Sequence, residues 1–368
     1  MANTNEIPDH IDDVSAAWLN EVLHSGGHLT RGHVERISSE RVGVGIGVLA
    51  DLARIDLTYS GANPEAPSSV VVKLQSHVAE NRAFAIEFSF YERELLFYKH
   101  VARDVPGRTP VIYGLQSSPE QDRFAIVMED LSHLDIFDQI AGLDIEHTRI
   151  VVDWMATLHA RFWNNVDSEV LSFIPYGDDD ITLKVGELYE HGWEPFVQIF
   201  GKHLPEGGKE LGAIIRENFL WILQQMIGGP VTIVHTDLRL DNMFFDENGN
   251  VVPIDWQVSV RTRGTYDLAY FLGGSLTIAD RRSYEQDLVR RYVDKLRVLG
   301  VTDYPFDEAW QDYRLSHMVC TVVPVNGVLL DKGNERGVQL INVLTERHFT
   351  AALDLNSASL IEQLKRSD

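Results

Sequence analysis

The sequence predicts an α+β chain of two lobes, with an antiparallel sheet in its N-terminal half and mainly helices in its C-terminal half. Three observations predict it. At 368 residues the chain is too long for one ordinary core, so two lobes are the default. Between residues 33 and 129 apolar positions come in short runs bounded by Gly, Ser and Pro, as strands require. Beyond Leu131 the apolar period lengthens to that of long helices. The division assigns residues 1–130 to an N-lobe and 131–368 to a C-lobe.

In chain order, "IDDVSAAWLNEVLHSG" spaces Val14, Trp18, Leu19 and Val22 helically, with Asp12 or Asp13 as N-cap and Gly26 as stop. The runs "HVERISSERV", "GVLADLARIDLTYSG" and "SSVVVKLQS" read as a meander of antiparallel strands. One helix is expected from about Asn81 to Val101, followed by strands in "TPVIYGLQSS" and "DRFAIVMEDL". In the second half, "RIVVDWMATLHARFW", "ELGAIIRENFLWILQQMI" and "YEQDLVRRYVDKLRVLG" have helical period, interrupted by a strand pair around "HTDLRLDN". Trp310 to Phe349 is helical again, and Cys320 in it reads as a small core residue.

Composition removes several function classes. A formal charge of -23 with no compensating basic run repels phosphates, so neither nucleic acid nor an acidic membrane surface is an expected partner. The single cysteine permits no internal disulfide, "MANTNEIPDH" lacks the regions of a signal peptide, and no apolar run is long enough to cross a bilayer. The expectation is a soluble cytoplasmic protein. Its oligomeric state is not set by the sequence.

The chemistry concentrates in "HTDLRLDN". Asp237 and Asn242 have the spacing of the kinase catalytic loop H-R-D-L-x-x-x-N, and Asp255 follows in "PIDW". Phosphoryl transfer needs a carboxylate to orient and deprotonate a hydroxyl, and hard oxygen ligands for magnesium, roles that suit Asp237 and the pair Asn242 and Asp255. The turn "DENGN" folds its flanks into a hairpin and so returns Asp255 to Asn242. Arg239 is placed to stabilise charge on the moving phosphoryl group, and His235 reads as a buried strut. Taken singly, each of these is an ordinary turn or strand-end residue; their combination carries the reading.

Lys73, inside the apolar strand "SVVVKLQ", needs anionic company, and it matches the lysine of V-A-I-K. A carboxylate from the next helix would pair with it: Glu94, or Glu87 in its place, on a stripe with Tyr91 and Tyr98. Gly43, Gly45 and Gly47 would let backbone amides approach phosphates, Gly45 and Gly47 foremost, although such a segment is ordinarily just a turn. The connector "VMEDLS" offers the carbonyl of Glu129 and the amide of Leu131 to an adenine edge, or is a plain linker.

With "VVVKLQ", "YERELLFY", "VMEDL", "LHARFW", "HTDLRLDN", "VPIDWQ" and "TYDLAYFL" in this order from about Val70 to Leu272, the chain resembles the aminoglycoside phosphotransferase and choline kinase superfamily. Within it the chain is similar to the ecdysteroid-kinase-like (CHK-type) branch with bacterial relatives. The resemblance implies a bilobal protein-kinase-like fold, ATP and Mg2+ as cofactors, and transfer of the gamma-phosphate to a hydroxyl of a small organic acceptor. It implies Asp237 as base, Asn242 and Asp255 as metal ligands, Lys73 on the phosphates with Glu94 beside it, and Asp267 bracing the catalytic loop. Thr236 departs from the glycine common in the family's H-G-D, and "IDW" stands where protein kinases have D-F-G.

Only eleven residues separate Asp255 from Asp267, too few for the segment that docks a protein substrate. By resemblance the region from Val166 to Gly229 forms the acceptor pocket. Its acids Asp178, Asp179, Asp180, Glu187, Glu190 and Glu194 suit a cationic acceptor, whereas Trp193, Phe196 and Phe200 suit a sterol or acyl chain. Competing readings are a nucleotide-binding pseudokinase, a kinase of a hydroxyacyl thioester or sterol-like acceptor, and a hydrolytic metal site of His235, Asp237, Asp241 and Asp255.

Overall fold

The structure, a computed structural model, describes residues 6–43, 49–329 and 335–366. It divides into two compact units, one of Met1–Arg103 and Thr109–Leu134, the other of Asp104–Arg108, Asp135–Leu330 and Glu335–Asp368.

The first unit is a five-stranded antiparallel sheet with helices on it. Its strands are β1 (His33–Val42), β2 (Ala50–Ser60), β3 (Ser69–Gln75), β4 (Ile112–Ser118) and β5 (Arg123–Glu129), ordered β1-β2-β3-β5-β4. The apolar run of β3 places it at the centre, where both edges are paired and both faces covered. Side chains alternate along a strand, so Val70, Val72 and Leu74 join Trp18, Leu19 and Leu23 of α1 (Ala16–Ser25) in one core layer. Lys73 has the opposite parity and points to the other face.

Two expectations are corrected here. The cap of α1 is Ser15, whose side chain accepts the Trp18 N–H at 3.1 Å; Asp12 and Asp13 belong to a separate turn, Ile11–Asp13. A serine in extended backbone directly before the first helical residue outcompetes acids further upstream. Residues 81 to 101 do not form one helix either. The chain makes α2 (Ala79–Glu87) and α3 (Phe90–His100), broken at Ser89, whose φ of 55° is left-handed. Across the break the Phe90 ring lies 5.5 Å from Phe88, two positions back, a contact that a continuous helix would not give, and 6.0 Å from Phe84.

The second unit is mainly helical: α4 (Ile145–Phe162), α5 (Asp180–Phe200), α6 (Gly208–Gln225), α7 (Thr265–Ser275), α8 (Ile278–Val298), α9 (Phe306–Cys320), α10 (Val322–Asn326), α11 (Glu335–Asp354) and α12 (Ser359–Lys365). Asp144 caps α4 by accepting the Glu146 and His147 N–H groups, both at 3.0 Å. Every residue of α7 is buried, because α4, α8, α9 and α11 pack around it. Two short antiparallel pairs interrupt the helices: β6 (Thr232–Val234) with β9 (Val260–Thr262), and β7 (Met243–Phe245) with β8 (Val251–Pro253). No helix among the described residues is long and apolar enough to cross a membrane.

Candidate active site

In the second unit the buried strand β6 delivers the chain to "HTDLRLDN", and α7 receives it. Asp267, fully buried near the start of α7, accepts the His235 N–H at 2.8 Å and the Thr236 N–H at 2.9 Å. Its Oδ2 also lies 3.3 Å from His159 Nε2. Two loop amides that would otherwise be buried without partners are thus satisfied by one carboxylate. His235 is the strut expected of it. Its Nε2 lies 2.9 Å from the Ile254 carbonyl, so that nitrogen donates, and Nδ1 is left to accept the Asp237 N–H at 3.3 Å.

Thr236 has a φ of 66°, where a branched side chain is strained and glycine is at ease. Its hydroxyl donates to the Val258 carbonyl at 2.7 Å, a bond no glycine makes, and this offsets part of the strain.

The hairpin closes as its turn residues require. Gly249 takes a φ of 76° and Asp246 Oδ1 accepts the Asn248 and Asn250 N–H groups, so β7 and β8 pair with Met243 opposite Pro253. One residue outward, the Ile254 N–H donates to the Asn242 carbonyl at 2.9 Å, which brings Asp255 back beside Asn242. Asp255 also has a left-handed φ, 65°, the sharp bend that ends the strand.

Asn242 donates its side-chain amide to the Asp237 carbonyl at 2.9 Å and to Asp237 Oδ2 at 2.8 Å. With its NH2 so directed, the oxygen Oδ1 is the atom Asn242 could offer to a cation, and the Asp255 carboxylate could be a second. Both are hard oxygen donors of the kind magnesium takes. Among the described residues no group of three or more His, Cys, Asp or Glu side chains is arranged to hold a metal ion, so the hydrolytic reading gains no support.

Arg239 Nε lies 3.6 Å from Asp237 Oδ2. Burial opposes its charge, but Asp237, Tyr270, Asp241 and Asp255 outweigh that cost and hold its pKa above the ordinary arginine value. It is a cation fixed among carboxylates.

Tyr270, which the sequence reading did not single out, donates its hydroxyl to Asp237 Oδ1 at 2.7 Å. The signal was present, since Tyr270 lies three residues after Asp267 and shares its helix face. Gln139 was missed as well. It is fully buried and its Oε1 accepts the Leu240 N–H at 2.7 Å, but nothing local marks a glutamine 101 positions away.

In the first unit Lys73 Nζ lies 2.7 Å from Glu94 Oε2. Glu87 is exposed and ends α2, so the choice between the two acids goes to Glu94. On the same helix Tyr91 receives the Ser76 N–H at 3.0 Å and donates to the Leu49 carbonyl at 2.7 Å, tying α3 to the ends of β3 and of the glycine segment. Gly45 and Gly47 lie outside the described residues. Glu129 ends β5, where its N–H donates to the Val111 carbonyl at 2.8 Å, and Leu131 is buried two residues on. Between them Asp130 accepts from Arg54 and Ser69 at 2.7 Å.

In the acceptor region the aromatic residues and the glutamates of α5 lie on opposite sides of the helix. Tyr189, Trp193, Phe196 and Phe200 of α5 are buried and stack on one another and on Phe219 and Phe349, which makes them core. Glu187, Glu190 and Glu194 face solvent, the last two beside Arg216. The amphipathic period of α5 is read by the core on one side and by water on the other.

The profile of the ecdysteroid kinase-like family matches residues 47–300, more than half of the chain. The chain belongs to that family. This ecdysteroid kinase-like chain is similar in fold to the choline kinase from Cryptosporidium parvum Iowa II, with a TM-score of 0.55, 14% identity, and 89% of this chain and 90% of that chain covered. It is similar to choline kinase LicA from Streptococcus pneumoniae, with a TM-score of 0.50 and 15% identity over 86% of this chain and 93% of that one. The GDP complex of an aminoglycoside 2'-phosphotransferase gives a TM-score of 0.50 and 13% identity over 88% and 93%. At such identities the shared property is the fold, an antiparallel-sheet N-lobe and a helical C-lobe of the kind small-molecule kinases use. No curated protein sequence matches the chain.

Proposed function

We propose that this ecdysteroid kinase-like chain is an ATP- and magnesium-dependent phosphotransferase that moves the gamma-phosphate of ATP onto a hydroxyl of a small organic acceptor. One observation carries the reading: Asn242 gives its NH2 to Asp237 and stands at the end of the hairpin that returns Asp255. A carboxylate linked in this way to two hard oxygen donors is the set that the transfer requires.

Asp237 orients the acceptor hydroxyl and takes its proton as the oxygen bonds to phosphorus and the bond to the leaving ADP breaks. Asn242 Oδ1 and the Asp255 carboxylate hold the metal, which when bound neutralises the charge of the triphosphate. Arg239 faces the developing negative charge with a guanidinium that its carboxylate neighbours keep protonated. Lys73, steadied by Glu94, meets phosphate oxygens of the nucleotide, and Gly45 and Gly47 leave their backbone free to approach them. Glu129 and Leu131 offer backbone groups to the base. The short link from Asp255 to Asp267 favours a free small molecule over a protein as acceptor.

Purified protein incubated with MgATP and a panel of aminoglycosides, choline-like amines, sugars, sterols and hydroxyacyl thioesters should phosphorylate one class, read by the mass of the product. Asp237→Asn should lower that turnover by about a hundredfold or more, while calorimetry still records MgATP binding. Wild-type turnover in Asp237→Asn, or wild-type protein that neither binds MgATP nor transfers phosphate, would overturn the reading.

A further inference from the structure

Helix α7 meets the loop at three points along one face. Asp267 takes two backbone N–H groups, Tyr270 donates to the Asp237 carboxylate, and the Gly274 carbonyl accepts the Gln139 amide at 2.8 Å while Gln139 holds Leu240. Positions 267, 270 and 274 are related as i, i+3 and i+7 and so form one stripe. The first and third contacts hold backbone. Only the second touches the reactive carboxylate.

Tyr270 is itself held from several sides. Its ring is buried and lies parallel to His348, with centroids 5.4 Å apart and planes at 10°, and parallel to Tyr266 at 6.2 Å. His348 fits there because α7 has glycines beneath it: a Cβ on Gly273 would come within 3.0 Å of His348 Nδ1, and one on Gly274 within 3.2 Å of Nε2. Burial pushes His348 down to about 3, so the stacked ring is neutral. Burial, and then the Asp237 charge, push the Tyr270 pKa well above its ordinary value, so its hydroxyl keeps its proton and stays a donor.

An aspartate carboxylate has a broad, weakly defined end torsion, so its orientation depends on outside donors. Asn242 supplies one, but under the proposed function Asn242 also serves the metal. We infer that Tyr270 is a positioning residue for Asp237, its hydroxyl fixing the rotation of the carboxylate through the Oδ1 bond. Among the described residues the Tyr270 hydroxyl makes no other hydrogen bond, and the stack under its ring restricts its own freedom. The inference rests on the kinase reading, in which a carboxylate turned away from the acceptor hydroxyl is a poor base.

Tyr270→Phe deletes one oxygen and keeps the ring stack. With MgATP and water as the phosphate acceptor, ADP release by the variant should show kcat reduced about 10- to 100-fold, with KM for MgATP within about twofold of wild type. An unaltered kcat overturns the inference, as does a fall in kcat matched by a rise in KM, which general loosening would give. Crystal structures of both proteins supply a readout without turnover: the Asp237 carboxylate should be rotated in Tyr270→Phe, and an identical orientation overturns the inference. Wild-type protein unable to bind or turn over MgATP would sink the kinase reading instead, and the crystal comparison would still decide whether Tyr270 orients Asp237.

Discussion

Lys73 and Glu94 meet at 2.7 Å with side chains only 5% and 1% exposed, an ion pair closed inside the first unit. Such a pair gains little over apolar residues of the same volume, yet removing one partner strands a buried charge at a cost of about 3–5 kcal/mol. Stability alone therefore does not account for the pair. Glu94→Ala should lose about that much in chemical denaturation, whereas the double variant Lys73→Met with Glu94→Leu should regain most of it. Neither should bind MgATP as wild type does, by calorimetry. A double variant with wild-type nucleotide affinity would remove Lys73 from the phosphate site.

Thr236 sets a strained φ against a hydroxyl bond to Val258. Thr236→Ala keeps the strain and loses the bond, so it should be destabilised by roughly 1 kcal/mol. Thr236→Gly loses the bond but relieves the strain, and should be more stable than the alanine variant by about 1 kcal/mol. Equal stabilities in urea would show that the left-handed backbone costs nothing here.

Asp130 ties the end of β5 to the sheet. Burial alone would raise its pKa, but bonds from Ser69, Ser132 and Arg54 prevail and hold it down to about 2, against an ordinary 3.8. The charged form is therefore the one the fold prefers. The stability it confers is complete above about pH 4 and is lost as the pH falls toward about 2. Wild type should exceed Asp130→Asn in melting temperature at neutral pH, with the gap closing over that acid range. A gap independent of pH would assign the effect to shape and not to charge.

Gly212 on α6 lies against the Trp193 ring of α5, and a Cβ there would overlap the ring. Gly212→Ala should cost about 2 kcal/mol or more, since a buried indole between packed helices has little room to move. Adding Trp193→Leu should recover part of the loss. A Gly212→Ala protein as stable as wild type would mean that α5 and α6 separate freely.

Most of the fold was legible because period and punctuation are local. The five strands of the first unit and the long helices α4, α6 and α8 lie where alternation and helical spacing put them. The break between α2 and α3 was not legible, because the phenylalanines that pack across it satisfy a helical pattern as well as the observed one. At the site, the return of Asp255 to Asn242 was readable from "DENGN", a turn whose geometry its own residues dictate. Gln139 and His348 were not, since their partners lie 101 and 78 positions away and no sequence pattern spans such distances.

By itself the sequence determined the spacing of Asp237, Asn242 and Asp255, the residues on which the proposed phosphoryl transfer rests, because spacing within a loop and a hairpin is fixed by covalent connection and turn geometry. Tertiary structure alone decided that Glu94 and not Glu87 reaches Lys73, that Trp193, Phe196 and Phe200 are packed in a core, and that Tyr270 reaches Asp237. The physical reason is common to the three. A side chain's partner depends on which face of its element is buried and on what packs there, and that is settled only when distant segments compete for the same apolar surface.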